Sequence, residues 1–341
     1  MHQIANLTKK RGFTIFQAFF VTILWSSSWP IIKFGLKEIP PLFFAGTRYV
    51  AASVILLIYV ISFQKYRQEI KNLSKRWWLK LILYGVVFYS ITQGAQFLGL
   101  NYLPAITVSL LLSFTPIIVL FFANILLKEK SNIIQILLIV AALGGALLYF
   151  LLSPELSSTP FSIVSGYMQN FLELANPIPF KLRILGLIIV IIGVLANSFS
   201  TIIGRSINQS KEVSTVVITS VSMFIGSIIM LIAGFSVEGI PKLSPISTGY
   251  ILILSVVNTA FAFTIWNHAM QKLKAVEISI INNTMLFQIT ILAVIFLAER
   301  PTGIQWIGLI IVAVAGLLLP LFSTKKVDTK INASEVNNNL S

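Results

Sequence analysis

The chain is built from apolar runs long enough to cross a bilayer, and that feature limits what it can fold into. Reading for such runs places helices at about 14–33, 41–63, 81–100, 105–127, 133–152, 184–204, 213–235, 248–270, 276–297 and 303–322. A crossing needs about 20 mostly apolar residues to pass roughly 30 Å of hydrocarbon. Ten of them fit the 341 residues with short connections. Only 11% of the residues are charged and mean hydropathy is +0.89, so water cannot be the main solvent. The expected fold is an all-α polytopic membrane protein with ten transmembrane helices.

The formal charge of +14 is a statement about orientation. With a cytoplasmic amino terminus, the inside segments hold 18 of the 25 basic residues. The outside segments hold Lys33, Lys37, Lys181, Arg183, Lys242 and Arg300, and Arg48 stands within the second run. The positive-inside rule then predicts both termini in the cytoplasm, as an even helix count requires. Basic residues concentrated on one face meet anionic headgroups, not nucleic acid. Lys9, Lys10 and Arg11 precede a first run of full spanning length without a small-residue cleavage pattern, so that run is expected to remain as a helix. The absence of cysteine excludes disulfides, thiolate catalysis and cysteine-ligated metal.

Residues 153–182 make an outside loop longer than a bundle needs. Thr159 and Pro160 can start a helix there, and Ile163, Val164, Tyr167, Met168, Phe171, Leu172 and Ala175 recur at helical spacing, which predicts an interfacial helix ending before Pro177. The competing reading is a tolerated insertion. The tail 324–341 has too little apolar content to order itself.

Sliding the chain on itself by about 170 residues brings related segments together. Leu103, Ala105 and Ser109 fall on Leu273, Ala275 and Ser279; Glu129 and Lys130 fall on Glu299 and Arg300; Ser28, Trp29 and Ile32 fall on Ser198, Phe199 and Ile202. Five helices per copy is an odd number, so the copies enter the membrane from opposite sides. The expected organisation is therefore a first repeat over 1–152, the loop 153–182 and a second repeat over 183–323. Inverted repeats of this kind are common in secondary transporters, with the solute site near the midplane.

Several segments together resemble the EamA-type transporters of the drug and metabolite transporter superfamily. They are Leu24-Trp25-Ser26-Ser27-Ser28-Trp29, Ile39-Pro40-Pro41 with Thr47-Arg48-Tyr49, Leu100-Asn101-Tyr102-Leu103-Pro104-Ala105, Leu127-Lys128-Glu129-Lys130, the run from Ala260 to Met270, and Leu297-Ala298-Glu299-Arg300. The resemblance covers nearly the whole membrane region. It implies transport of amino acids, other metabolites, nucleobases or toxic compounds, often outward across the bacterial cytoplasmic membrane. Two features depart from the family pattern: the long central loop, and the bulk of Trp29 with Pro30.

Transport requires polar groups that replace part of a solute's hydration. At mid-span these are Trp25, Ser28, Tyr89, Gln93, Gln96, Ser109 and Ser113 in the first half. The second half offers Asn197, Ser198, Asn258, Trp266, Asn282, Asn283 and Gln288. In the resembled family the helices that bear them line the central cavity. A serine there also serves as interhelical glue, an amide needs either another helix or a solute to satisfy it, and the aromatic rings pack a core as well as a solute. Arg48 is the strong charge inside a span; it attracts a carboxylate or phosphate, or else snorkels or pairs with carbonyls. Pro30 and Pro116 remove backbone bonds within helices, where a kink serves a gate or merely shape. Glu277 and His268 are the candidate proton carriers, both near the cytoplasmic face, and facilitated diffusion or exchange is the simpler expectation.

The sequence has no phosphate-binding loop, no cysteine, only two histidines and no paired acids within the spans, which argues against an enzyme with a catalytic residue, cofactor or metal. The reading is a secondary transporter of small organic metabolites, probed against a scaffold or receptor and against a nucleotide-sugar or drug carrier of the same superfamily. Its partners are the solute and the lipid bilayer, and it acts as a monomer or homodimer.

Overall fold

The computed structural model describes residues 2–115, 117–119, 132–151, 179–210, 212–270, 281–282 and 284–322. Among these residues the chain is helical and contains no strand. Helices α1 (His2–Gly35), α2 (Pro41–Ser62), α3 (Gln64–Lys71) and α4 (Lys75–Tyr102) are followed by α5 (Ala105–Leu112) and α6 (Ile133–Leu151). The second half holds α7 (Phe180–Gln209), α8 (Thr215–Glu238), α9 (245–270), α10 (Met285–Leu297) and α11 (Gly303–Phe322). Six of the described helices are long and apolar enough to cross a membrane, and four shorter apolar segments accompany them. The loop 153–182 is named above as a possible helix; all but its last residues, and the tail from 324, lie outside the described residues.

Helix starts explain where the structure departs from the apolar runs. α1 continues back to His2, because nothing in Lys9-Lys10-Arg11 breaks a helix once it leaves the hydrocarbon. α4 starts at Lys75, because the Ser74 hydroxyl accepts the Trp77 N–H at 3.3 Å. α9 starts at Pro245 for the same reason, with Ser244 accepting the Ser247 N–H at 3.1 Å. α3 was not expected at all, since two polar turns leave no trace in a search for spanning runs. Its Tyr66 and Ile70 pack beside Val60, Trp77 and Val217, and its Lys65, Arg67 and Lys71 are exposed.

The largest helix pair is α2 on α8, and α6 lies on α11. α1 packs against α9 and α10, whereas α7 packs against α4 and α5. α4 and α8 approach closely: a Cβ on Gly226 would collide with the Gly85 carbonyl oxygen, and the Ser90 hydroxyl donates to the Gly226 carbonyl at 2.6 Å. Ile58, Leu79, Ile188 and Ile295 are exposed on the outside of the bundle, an apolar surface that lipid covers.

A helix start leaves backbone N–H groups unmet and carries a partial positive charge, both costly at a membrane edge. Here glutamate carboxylates, in loops and near helix ends, meet several of them. Glu238 accepts the N–H groups of Leu42 and Phe43 at 3.1 and 2.9 Å, and Glu299 those of Ala105 and Ile106 at 2.7 and 3.0 Å. Glu69 accepts the Ser214 amide and its hydroxyl, while Glu38 accepts the hydroxyls of Ser244 and Ser247. Glu212 takes the indole N–H of Trp77 at 2.8 Å. Each of these contacts joins the amino-terminal half of the chain to the carboxy-terminal half. The hydroxyl donors Ser247 and Ser244 hold the Glu38 carboxyl below the usual carboxylate range. Burial pushes the Glu299 carboxyl above it, against the two N–H groups and the Lys33 cation that lower it.

Candidate functional site

Two π-helical turns shape the middle of the bundle, Gly85–Thr92 in α4 and Val256–Phe261 in α9. A π turn adds a residue to the coil and spoils the usual hydroxyl contact four residues back, so such turns gather at functional sites. The Thr92 hydroxyl donates instead to the Val87 carbonyl at 2.9 Å, and the Thr259 hydroxyl to the Leu254 carbonyl at 2.8 Å, five residues back in each case.

Neighbouring residues of α2 reach one turn each. Arg48 Nε donates to Thr259 Oγ1 at 2.9 Å, and the Tyr49 hydroxyl donates to Gln93 Oε1 at 2.6 Å, directly after the turn in α4. Arg48 does not snorkel: it is 4% exposed, and its guanidinium lies 5.1 Å from the ring of Tyr49 and 5.8 Å from that of Phe97. Among the described residues no acceptor meets its two terminal nitrogens.

Aromatic rings continue the wall from these polar groups. Tyr89 lies edge-on to Tyr49 at 5.9 Å and 6.3 Å from Phe263. Trp25 of α1 tilts against Phe263 at 5.2 Å and Trp266 at 4.8 Å. The resulting surface runs from α9 and α1 to α4 and α2, with Arg48 and Gln93 at one end.

Of the residues picked out by sequence, Trp25, Arg48, Tyr89, Gln93 and Trp266 therefore fall on one wall. Asn258 sits beside it and donates to the Leu24 carbonyl and, at 3.2 Å, to the Ser27 hydroxyl, tying α9 to α1. Gln288 is fully occupied. It accepts from Ser26 at 2.8 Å and donates to Thr22 at 3.0 Å and Thr284 at 3.1 Å. Ser28, Ser109, Ser113 and Ser198 bond to carbonyls of their own helices. Asn197 donates to Thr115 at 3.1 Å, away from the aromatic wall. Gln96 is half-buried and Asn282 exposed. Asn283 and Glu277 lie outside the described residues, as does the side chain of His268. No cluster of three His, Asp or Glu suited to a metal occurs among the described residues.

Tyr49, Thr259 and Phe263 were missed by sequence reasoning. Tyr49 could have been found from its place beside Arg48. Thr259 carried no signal, because a threonine in an apolar run ordinarily bonds its own helix.

A family model described as the EamA-like transporter family matches residues 12–151 and 184–321. The chain belongs to the EamA-like transporter family. Membership makes it a multi-pass membrane transporter acting on small-molecule solutes, from a family of transporters, not enzymes. Among similar EamA-type proteins, the uncharacterized transporter YvbV of Bacillus subtilis is 23% identical over 93% of this chain and 92% of its own. The S-adenosylmethionine/S-adenosylhomocysteine transporter of Chlamydia trachomatis is 28% identical over 34% of each chain. A solved crystal structure shares the fold, with a TM-score of 0.60 over 90% of this chain and 96% of that one at 13% identity.

Proposed function

We propose that this EamA-like transporter exports small organic metabolites bearing a carboxylate, amino acids or compounds related to them, across the cytoplasmic membrane. The observation that carries the reading is Arg48. Its Nε is held by Thr259 and its terminal nitrogens meet no acceptor among the described residues, so a solute carboxylate can take both in a bidentate pair. Tyr89, Phe263, Trp25 and Trp266 offer the apolar remainder of the solute a ring surface.

Alternating access follows from two inverted five-helix repeats, residues 1–152 and 183–323. The family model matches once in each. The two π turns, and the capping serines Ser74 and Ser244, recur at the same offset of about 170 residues. The basic residues favour cytoplasmic termini. The wall residues described above include no acid, which favours facilitated diffusion or exchange. Glu277 and His268 remain the candidates for proton coupling, and Glu277→Gln abolishes any pH-gradient effect on flux if they serve it. A second reading comes from the chlamydial relative, whose solutes pair an amino-acid end with a nucleoside; the tryptophans suit a stacked base.

The test is solute exchange by the purified full-length protein in liposomes loaded with amino acids, nucleobases and organic acids, read by mass spectrometry. Saturable exchange of carboxylates, lost in Arg48→Met, is expected. Equal exchange of solutes with and without a carboxylate, or no exchange by folded protein, overturns the proposal.

A further inference from the structure

The two sides of the aromatic wall belong to different packing groups. α1 lies with α9 and α10, and α7 lies with α4; α5 stands between them, packed against both α10 and α7. If the groups rock, a path opens at one membrane face as it shuts at the other, so a contact between groups at each face has to be made and broken. At the face where α10 ends, that contact is Glu299.

Glu299 follows α10 directly and reaches across to α5, where it accepts the Ala105 and Ile106 N–H groups at 2.7 and 3.0 Å. The aim of its side chain depends on Ala298. This alanine has φ 56°, the one positive φ on a residue other than glycine among the described residues. Left-handed backbone is unfavourable for a side chain with a Cβ, and strain of that kind persists where the surroundings hold it and a function uses it. The turn is closed by the Ala298 and Glu299 N–H groups, both donated to the Ala293 carbonyl.

The setting of the carboxylate also suits a contact that breaks. It is half-buried, with Lys33 on α1 the nearby cation. Letting go of the two amides returns it to water, so hydration offsets the lost hydrogen bonds. The Glu238 contact differs, because it ties α2 to α8, the largest helix pair of the fold, and Glu69 ties the surface helix α3 to the start of α8.

We propose that Glu299 is the latch of this face: its carboxylate holds the first amides of α5 while the face is shut and releases them when it opens. This rests on the transporter reading above. Glu299 touches no solute in this role; it is a positioning residue acting through α5, whose Ser109 and Ser113 lie further along the same helix segment.

The chain has no cysteine, so paired labels are unambiguous. Spin labels on Pro104→Cys and Arg300→Cys in the full-length protein in liposomes are expected to show a short and a long distance population. Glu299→Ala shrinks the short one by about tenfold or more, and Glu299→Asp restores it in part. A single distance unchanged by Glu299→Ala, whatever happens to the melting temperature, marks a merely structural cap and overturns the latch. Joining the same two cysteines with a short reducible cross-linker is expected to lower exchange of the solute mixture by about tenfold or more, with recovery on reduction. Undiminished exchange by cross-linked protein also overturns it. If the protein without cross-linker moves no solute, the transporter reading fails, while the distance populations still decide the latch.

Discussion

Arg48 illustrates how much depends on the shape of one charge. Its Nε is committed to Thr259, and the guanidinium lies over the rings of Tyr49 and Phe97. A lysine ammonium has no fork to offer a carboxylate. Arg48→Lys is expected to keep helix content and to reduce carboxylate exchange by about tenfold, because the bidentate geometry is lost while the charge stays. The neighbouring residue tests the polar link to α4. Tyr49→Phe leaves Gln93 Oε1 without its donor, an expected cost of about 1–3 kcal/mol, seen as a lower melting temperature in detergent. At this scale part of the site was legible in the sequence. Arg48, Gln93 and Asn258 stand out because a polar group in an apolar run must be satisfied by something. Tyr49 and Thr259 do not stand out. The Thr259 hydroxyl faces Arg48 through the π turn, and nothing in a run of Val256-Val257-Asn258-Thr259 announces a π turn.

Helices were readable from sequence because lipid forces each crossing into one apolar run, but their starts were set by contacts far away in the chain. Ser74 and Ser244 moved the starts of α4 and α9 outward, and α3 escaped notice because it is a surface helix. The glutamates looked like solvated loop ends; only the folded chain shows the N–H groups they meet. Glu38 gives this element-scale role a pH signature. Its folded carboxyl lies below the ordinary carboxylate value, so its contribution is present above the unfolded pKa of about 4.3. It is lost as pH falls from there through the lowered value. Acid melting curves of the protein and of Ser247→Ala are expected to converge below that range and to separate above it. The α4–α8 crossing makes a second prediction. Gly226→Ala drives a methyl group into the Gly85 carbonyl and is expected to destabilise the bundle by about 1–3 kcal/mol, measured by thermal unfolding.

For the whole molecule, the distribution of charge predicts which face meets the cytoplasm. In intact cells a membrane-impermeant maleimide is expected to label Lys242→Cys and to leave Lys71→Cys unmodified until the membrane is opened. The reverse pattern inverts the topology. The glutamate contacts have a further consequence, which concerns the order of synthesis. Leu42 is paired with Glu238, 196 residues later, and Ala105 with Glu299, 194 residues later. While the ribosome is still making the second half, α2 and α5 are already in the membrane with bare amides at their starts. The first half is therefore an unfinished object until the second arrives: neither half is expected to accumulate when made alone, and the two made together as separate chains are expected to pair through the same carboxylates.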